Sequence, residues 1–97
     1  MKVKLYQIVP EKDDKNLMFM GYDFTMKKGG INPDIYKKVF EGELAVNNPD
    51  EVYCIFNTML PDGYCGRCMS VSDIVYMDKL GTFFCDRFGW KEVEFTK

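Results

Sequence analysis

The residues best suited to chemistry are two cysteines with the spacing of a metal knuckle, Cys65 and Cys68. Such a pair can give two thiolates to zinc, and Cys54 and Cys85 could complete a set of four. The pair could also be redox active, since neighbouring thiols gain reactivity at a helix start. A zinc ribbon usually has two such pairs, however, and Cys54 and Cys85 fall in a predicted helix and strand, where cysteine is usually a small buried apolar residue. We expect no metal or other cofactor, and zinc or redox chemistry at Cys65 and Cys68 is the alternative.

A polar run, Ser-Val-Ser-Asp, follows this pair at residues 70–73. Serine and aspartate before a strand commonly hydrogen-bond the local backbone, which favours a structural role. A serine hydrolase is not indicated, because the sequence has no histidine to act as the base and no Gly-x-Ser-x-Gly elbow. Asp73 and Asp86 could form a carboxylate pair, but their spacing does not give their separation. We therefore expect no enzyme.

The functional interpretation of the same run is a polar patch that grips a peptide or a partner protein. Arginine and tyrosine are common at binding hot spots, and both occur next to the run. The predicted partner-binding residues are Tyr64, Arg67, Ser70, Ser72, Asp73 and Asp86. The sequence does not identify the protein partner.

Charge and composition narrow the remaining classes of function. The 97 residues leave room for one domain, and a net charge of −2 argues against binding to a phosphate backbone as the main role. Lys27, Lys28, Lys37 and Lys38 nevertheless give nucleic-acid binding as a second alternative. The first residues, MKVKLYQIVP, lack the apolar run of a secretory signal, and no stretch approaches the roughly 20 apolar residues of a membrane span. We expect a cytoplasmic protein that does not contact membranes.

One helix and several strands should position these residues. Asn48 is a suitable N-cap and Pro49 suits the first turn, after which Val52, Ile55, Phe56 and Met59 form one apolar stripe. Apolar alternation or β-branched and aromatic content predicts strands over residues 3–9, 17–20, 35–41, 73–77, 82–86 and 93–95. Residues 22–28 could form one or two helical turns closed by Gly29 and Gly30.

The second half of the chain resembles a known family. The runs LPDGYCGRCMSVSDIV (60–75) and FFCDRFGWKEV (83–93) are similar to the YodL-like domain family. Its members carry a Leu-Pro, an aromatic residue, a Gly-His or Gly-Arg pair, a run of Ser, Leu or Met, and Ser-Val-Ser-Asp, and then an aromatic strand ending in Asp-x-Phe-Gly-Phe. The matching residues are Leu60, Pro61, Tyr64, Gly66, Arg67, Met69, Ser70, Val71, Ser72, Asp73, Asp86, Phe88, Gly89 and Trp90. Cys68 and Trp90 stand where relatives tend to have serine and phenylalanine.

The resemblance implies small bacterial cytoplasmic proteins, or modules within large proteins of mobile elements in Firmicutes, and no established catalytic activity. Together with the element pattern, it predicts a single α+β domain over residues 1–97. We expect a mostly antiparallel sheet of four or five strands with one main helix, residues 49–59, packed on one face. The expected function is that of a non-enzymatic protein-interaction module.

Overall fold

Strands and helices of the expected types build the chain in the computed structural model, which describes residues 1–62, 64 and 66–97. Within these residues the strands are β1 (Lys2–Ile8), β2 (Tyr36–Glu43), β3 (Ile74–Met77), β4 (Gly81–Cys85) and β5 (Trp90–Glu92). The helices are α1 (Tyr22–Lys27) and α2 (Pro49–Thr58), with two single 3-10 turns at Pro10–Lys12 and Pro33–Ile35.

The strands form one antiparallel sheet in the order β2-β1-β3-β4-β5. Leu5 of β1 pairs with Val75 of β3 on one side and with Phe40 of β2 on the other. The register between β1 and β2 shifts after Leu5, which leaves Val39 as an extra residue in the edge strand β2. The predicted α+β class, with a mostly antiparallel sheet and one main helix, is confirmed.

Helix α2 forms where its cap and its apolar stripe predict it. Asn48 Oδ1 accepts a hydrogen bond from the Glu51 amide at 2.9 Å, which satisfies one of the free amides at the helix start. Val52 and Phe56 are fully buried against the sheet face that carries Val3 and Leu5. The helix thus covers one face of the sheet.

The stripe is shorter than the sequence indicates. Helix α2 ends at Thr58, so Met59 lies beyond the last turn and is 73% exposed. The assignment of Met59 to the core is therefore wrong, because a residue past the helix end no longer follows the 3.6-residue period.

The opposite face of the sheet is covered by α1, by the loop before it and by the chain after β5. Gly29 and Gly30 end α1 with φ of +107° and +93°, as predicted for a left-handed helix end. The predicted strand at residues 17–20 is wrong. Asp13 accepts hydrogen bonds from the amides of Leu17 and Met18 at 2.8 and 2.9 Å, and this closes a loop instead. None of the helices among the described residues is both long and apolar enough to cross a bilayer.

Candidate functional site

Asp73 lies at the centre of the polar residues that the sequence singles out, and its side chain is fully buried. Its Oδ2 atom accepts hydrogen bonds from Gln7 Nε2 and from the Ser70 amide, each at 2.9 Å. Its Oδ1 atom accepts one from Arg67 Nη2 at 3.3 Å, which also forms an ion pair. A buried carboxyl group needs such donors, because without them its burial would be costly.

Gln7 connects this carboxyl group to strand β1. Its side-chain amide donates to the Arg67 carbonyl at 3.0 Å, and its Oε1 atom accepts from the Arg67 amide at 3.2 Å. The sequence interpretation missed Gln7, although one signal was present. Gln7 continues the alternation of Val3 and Leu5, so it is a polar residue at an inward-facing position of the strand. A polar residue in that phase needs a buried partner.

Arg67 is held on several sides but remains partly open to solvent, with a side chain that is 30% exposed. Besides its contact with Asp73, its Nη1 atom donates to the Ile8 carbonyl at 3.3 Å. Its guanidinium carbon lies 5.1 Å from the centre of the Phe19 ring. Among the described residues, its buried Nε atom has no hydrogen-bond partner. The guanidinium group therefore has a fixed position, and its buried Nε donor lies out of reach of solvent.

Tyr64 and Ser70 complete this arrangement. The Tyr64 hydroxyl donates to the Arg67 carbonyl, and the Ser70 hydroxyl donates to the Cys68 carbonyl at 3.3 Å. We call the group formed by Gln7, Tyr64, Arg67, Ser70 and Asp73 the Asp73 network. It joins the loop after α2 to the first strand of the sheet.

Burial sets the protonation of the network. Desolvation raises the pKa of Asp73 to about 7, against the opposing effect of the hydrogen bonds from Ser70 and Gln7 and of the Arg67 charge. Burial and the nearby Asp73 carboxyl raise the pKa of Tyr64 to about 12. The Tyr64 hydroxyl therefore keeps its proton and remains a donor at neutral pH.

Ser72 is also buried, and it fixes the backbone instead of facing solvent. Its φ is +84°, a left-handed conformation that is unusual for serine. Its hydroxyl accepts from the Phe19 amide at 3.0 Å, its carbonyl accepts from the Tyr36 hydroxyl at 2.7 Å, and its amide donates to the Cys85 carbonyl at 2.9 Å. These contacts hold the strained backbone in place.

Asp86 lies outside the Asp73 network. Its Oδ1 atom accepts from the Tyr22 amide at 3.1 Å and from the Arg87 amide at 2.8 Å, so it joins the end of β4 to the start of α1. The structure thus brings Tyr64, Arg67, Ser70 and Asp73 together and places Asp86 apart. Partner binding by these residues stays a prediction, and the buried members can serve it only by positioning their neighbours.

An open depression of about 220 Å³ lies beside Arg67. Its walls come from the end of β1 and the residues after it, from β2 and from the loop that carries Arg67. They include Val9, Glu11, Lys37 and Val39. The partly exposed arginine therefore borders a concave surface of mixed charge.

The three described cysteines occupy two kinds of environment. Cys85 is buried, and desolvation raises the pKa of its thiol to about 12, which makes thiolate chemistry unfavourable there. Cys54 and Cys68 are exposed, so the interpretation of Cys54 as a buried apolar residue is wrong, because its position faces away from the sheet. Cys65 lies outside the described residues, and no group of three metal-binding side chains occurs among those residues.

The four lysines of the nucleic-acid alternative do not form one surface with free charges. Lys37 and Lys38 are neighbours on β2, so their side chains point to opposite faces of the sheet. Lys38 forms an ion pair with Glu41, whose pKa is lowered to about 2 by the hydrogen bonds from Lys38 and Lys2. Lys28 lies over the Phe24 ring at the end of α1.

Comparison with protein families gives one match. The model of the YodL-like domain matches residues 2–95 of the chain. This match confirms the family resemblance and extends it from the second half to nearly the whole sequence. Comparison with curated proteins and with solved structures found no significant match.

Proposed function

We propose that this chain, which belongs to the YodL-like domain family, acts as a non-enzymatic protein-interaction module. Its contact surface is centred on Arg67, with Tyr64 and Ser70 beside it. The role in a cytoplasmic bacterial protein, or in a protein of a mobile element, follows from the family resemblance and stays a prediction.

One observation carries this proposal: Arg67 is partly exposed and yet held in position. Asp73, the Ile8 carbonyl and the Phe19 ring restrict its guanidinium group, while the side chain as a whole is 30% exposed. An arginine that is already ordered loses less side-chain entropy when it binds, and arginine is enriched at binding hot spots. This combination suits a contact for a partner.

The surroundings of Arg67 support the same role. Phe19, whose ring centre lies 5.1 Å from the Arg67 guanidinium carbon, is 49% exposed. Arg67 thus has an exposed aromatic ring against its guanidinium group and a concave surface of mixed charge beside it. Apolar anchors around a central arginine are typical of protein interfaces.

The test is an affinity pull-down from a lysate of the organism that makes the protein. Wild type is compared with Arg67→Ala and with Lys79→Ala, a control that removes an exposed positive charge in the β3–β4 turn. We expect a partner that wild type and Lys79→Ala retain and that Arg67→Ala loses. Equal recovery by all three proteins would rule out the Arg67 surface, and no enriched partner for wild type would contradict the interaction role.

Arg67→Lys is needed as a second variant, because Arg67→Ala leaves Asp73 without its cation. Lysine keeps the positive charge next to Asp73 but loses the planar group that lies against Phe19. The midpoint of thermal unfolding of Arg67→Lys should be closer to that of wild type than the midpoint of Arg67→Ala is. Partner recovery by Arg67→Lys should still fall. Retained binding by a folded Arg67→Lys variant would show that charge alone is sufficient.

A further inference from the structure

A second depression, of about 270 Å³, lies between the start of α2 and the turn that joins β4 to β5. We call it the Trp90 pocket. It is lined by two aromatic residues, two carboxylates, a residue of the Ser-Val-Ser-Asp run and residues of the turn, including Asp50, Tyr53, Val71, Asp86, Arg87 and Trp90. The Asp73 network contributes no side chain to it.

The aromatic residues meet at an angle and one carboxylate fixes them. The rings of Tyr53 and Trp90 lie 6.4 Å apart with an interplanar angle of 78°. The Trp90 indole N–H donates to Asp50 Oδ1 at 2.8 Å, which ties β5 to the first turn of α2. Trp90 is half-buried and Tyr53 is 42% exposed, so the pair forms a wall that solvent reaches.

The carboxylates of the pocket still have acceptor capacity. In both Asp50 and Asp86 the hydrogen bonds go to Oδ1, from Trp90 in the first case and from Tyr22 and Arg87 in the second. Neither Oδ2 atom accepts a hydrogen bond from a described residue, and Arg87 forms no ion pair with them within that part of the chain. The two carboxylates are therefore not paired directly, and with Arg87 also in the lining the pocket keeps an excess of one negative charge.

Two aromatic residues and two carboxylate residues line one depression, and this combination suits a cation. We infer that the Trp90 pocket binds an arginine side chain of a partner protein. A guanidinium group stacks on an aromatic ring and donates to carboxylates at the same time, which a lysine ammonium does less well.

The rim of the pocket favours a side chain on a protein over a free small molecule. Phe88 lies at the tip of the turn, between two residues that line the pocket, and it is 94% exposed. An aromatic side chain exposed to that extent can cover the apolar residues next to a bound arginine. This inference extends the proposed interaction role to a second surface and rests on that role only for the nature of the ligand.

The single tryptophan of the chain gives a specific reporter, since Trp90 produces the one indole N–H resonance. The probe is the peptide acetyl-Gly-Ser-Gly-Arg-Gly-Ser-Gly-amide, followed by nuclear magnetic resonance. Its control carries citrulline, which has the shape of arginine without the charge. We expect a saturable shift with a Kd of about 1–10 mM for the arginine peptide, in keeping with one aromatic and ionic contact, and no saturable shift for the citrulline peptide.

The matched variant is Asp50→Asn with Asp86→Asn, which removes both charges and keeps an acceptor for Trp90 and Tyr22. We expect its affinity for the arginine peptide to fall about tenfold, which corresponds to about 1.4 kcal/mol. The control pair Asp14→Asn with Glu94→Gln changes the net charge equally at exposed positions outside the pocket and should bind as wild type does. Tyr53→Leu, which leaves both carboxylates in place, should also weaken binding.

The inference is overturned if wild type gives no saturable shift, if the citrulline peptide binds equally, or if the Asn variant keeps its affinity. It is also overturned if a matching lysine peptide binds more tightly than the arginine peptide, since the pocket would then recognise charge without the planar group. These results concern the Trp90 pocket alone. Equal partner recovery by wild type and Arg67→Ala would rule out the Arg67 surface and would leave these results unchanged. The two proposals therefore fail separately.

Discussion

The Asp73 network and the Trp90 pocket use their polar groups in opposite ways. In the network, Asp73 and Gln7 are at most 2% exposed, and their side chains bond to one another and to the loop. In the pocket, two carboxylates each keep an oxygen without a partner among the described residues, next to a Tyr53 ring that is 42% exposed. Groups that are satisfied internally position a surface, whereas groups left open can bind.

The difference changes how the Ser-Val-Ser-Asp run is understood. Ser72 and Asp73 are buried, so neither can touch a partner directly. They determine where Arg67 and Phe19 lie, through the ion pair and through the hydrogen bond to the Phe19 amide. The run is best described as support for a neighbouring surface, and its removal should affect stability before it affects recognition.

The largest expected effect on stability comes from removing one carboxylate from each region, Asp73 from the network and Asp50 from the Trp90 pocket. Asp73→Ala leaves the donors of Gln7, Ser70 and Arg67 without their buried acceptor and should lower the free energy of unfolding by about 3–5 kcal/mol. Asp50→Ala removes an exposed carboxylate and should cost about 1 kcal/mol or less. Chemical denaturation measures both. Similar costs for the two variants would mean that Asp73 has no special supporting role.

A second pair of substitutions compares the backbone of the two regions. A Cβ atom at Gly66 would lie 2.7 Å from Gln7 Oε1, inside the Asp73 network, so Gly66→Ala should cost about 1–3 kcal/mol. At Gly89, beside the Trp90 pocket, a Cβ atom meets nothing within 4 Å, and only the φ of +78° opposes it. Gly89→Ala should therefore cost about 1 kcal/mol. Thermal unfolding of the two variants measures which one is less stable. A greater loss of stability for Gly89→Ala would contradict the expected order.

A smaller effect separates strain from hydrogen bonding at Ser72. Ser72→Ala loses the acceptor for the Phe19 amide and keeps the strained φ of +84°, so it should cost about 1–2 kcal/mol. Ser72→Gly loses the same acceptor but adopts that φ without strain, so it should cost less, by about 0.5–1 kcal/mol. The free energies of unfolding of the two variants, measured at the same pH, show which one is more stable. If Ser72→Gly is less stable than Ser72→Ala, relief of backbone strain does not determine the order of the two variants.

Local signals in the sequence predict much of the fold. Asn48 with Pro49, followed by Val52 and Phe56, is enough to place α2 and its buried face, because caps and periodicity act within a few residues. The strand signals around the turn between β3 and β4 are equally local, and the two glycines after α1 mark its end. The family match over residues 2–95 agrees with this pattern.

Long-range contacts explain what the sequence does not reveal. Residues 17–20 are apolar enough for a strand, but the Asp13 carboxyl takes two of their amides, and nothing within the run indicates this. The burial of Asp73 depends on Gln7, which is 66 positions away. Tyr53 lies at the side of the buried stripe of α2, and the contact with Trp90 on β5 gives it a role.

The pH dependence of the free energy of unfolding tests most directly whether Asp73 supports the network as a residue closed off from solvent. Burial raises its pKa from 3.8 to about 7, so its contribution to stability is fully present below pH about 4 and is lost as the pH rises through about 7. Asparagine at this position does not titrate. The stability of wild type relative to Asp73→Asn should therefore decrease by up to about 4 kcal/mol between pH 4 and 8, as measured by chemical denaturation. A difference that stays constant over this range, as an exposed carboxylate would give, or one that increases with pH, would show that burial does not raise the pKa of Asp73 and would contradict this account of the network.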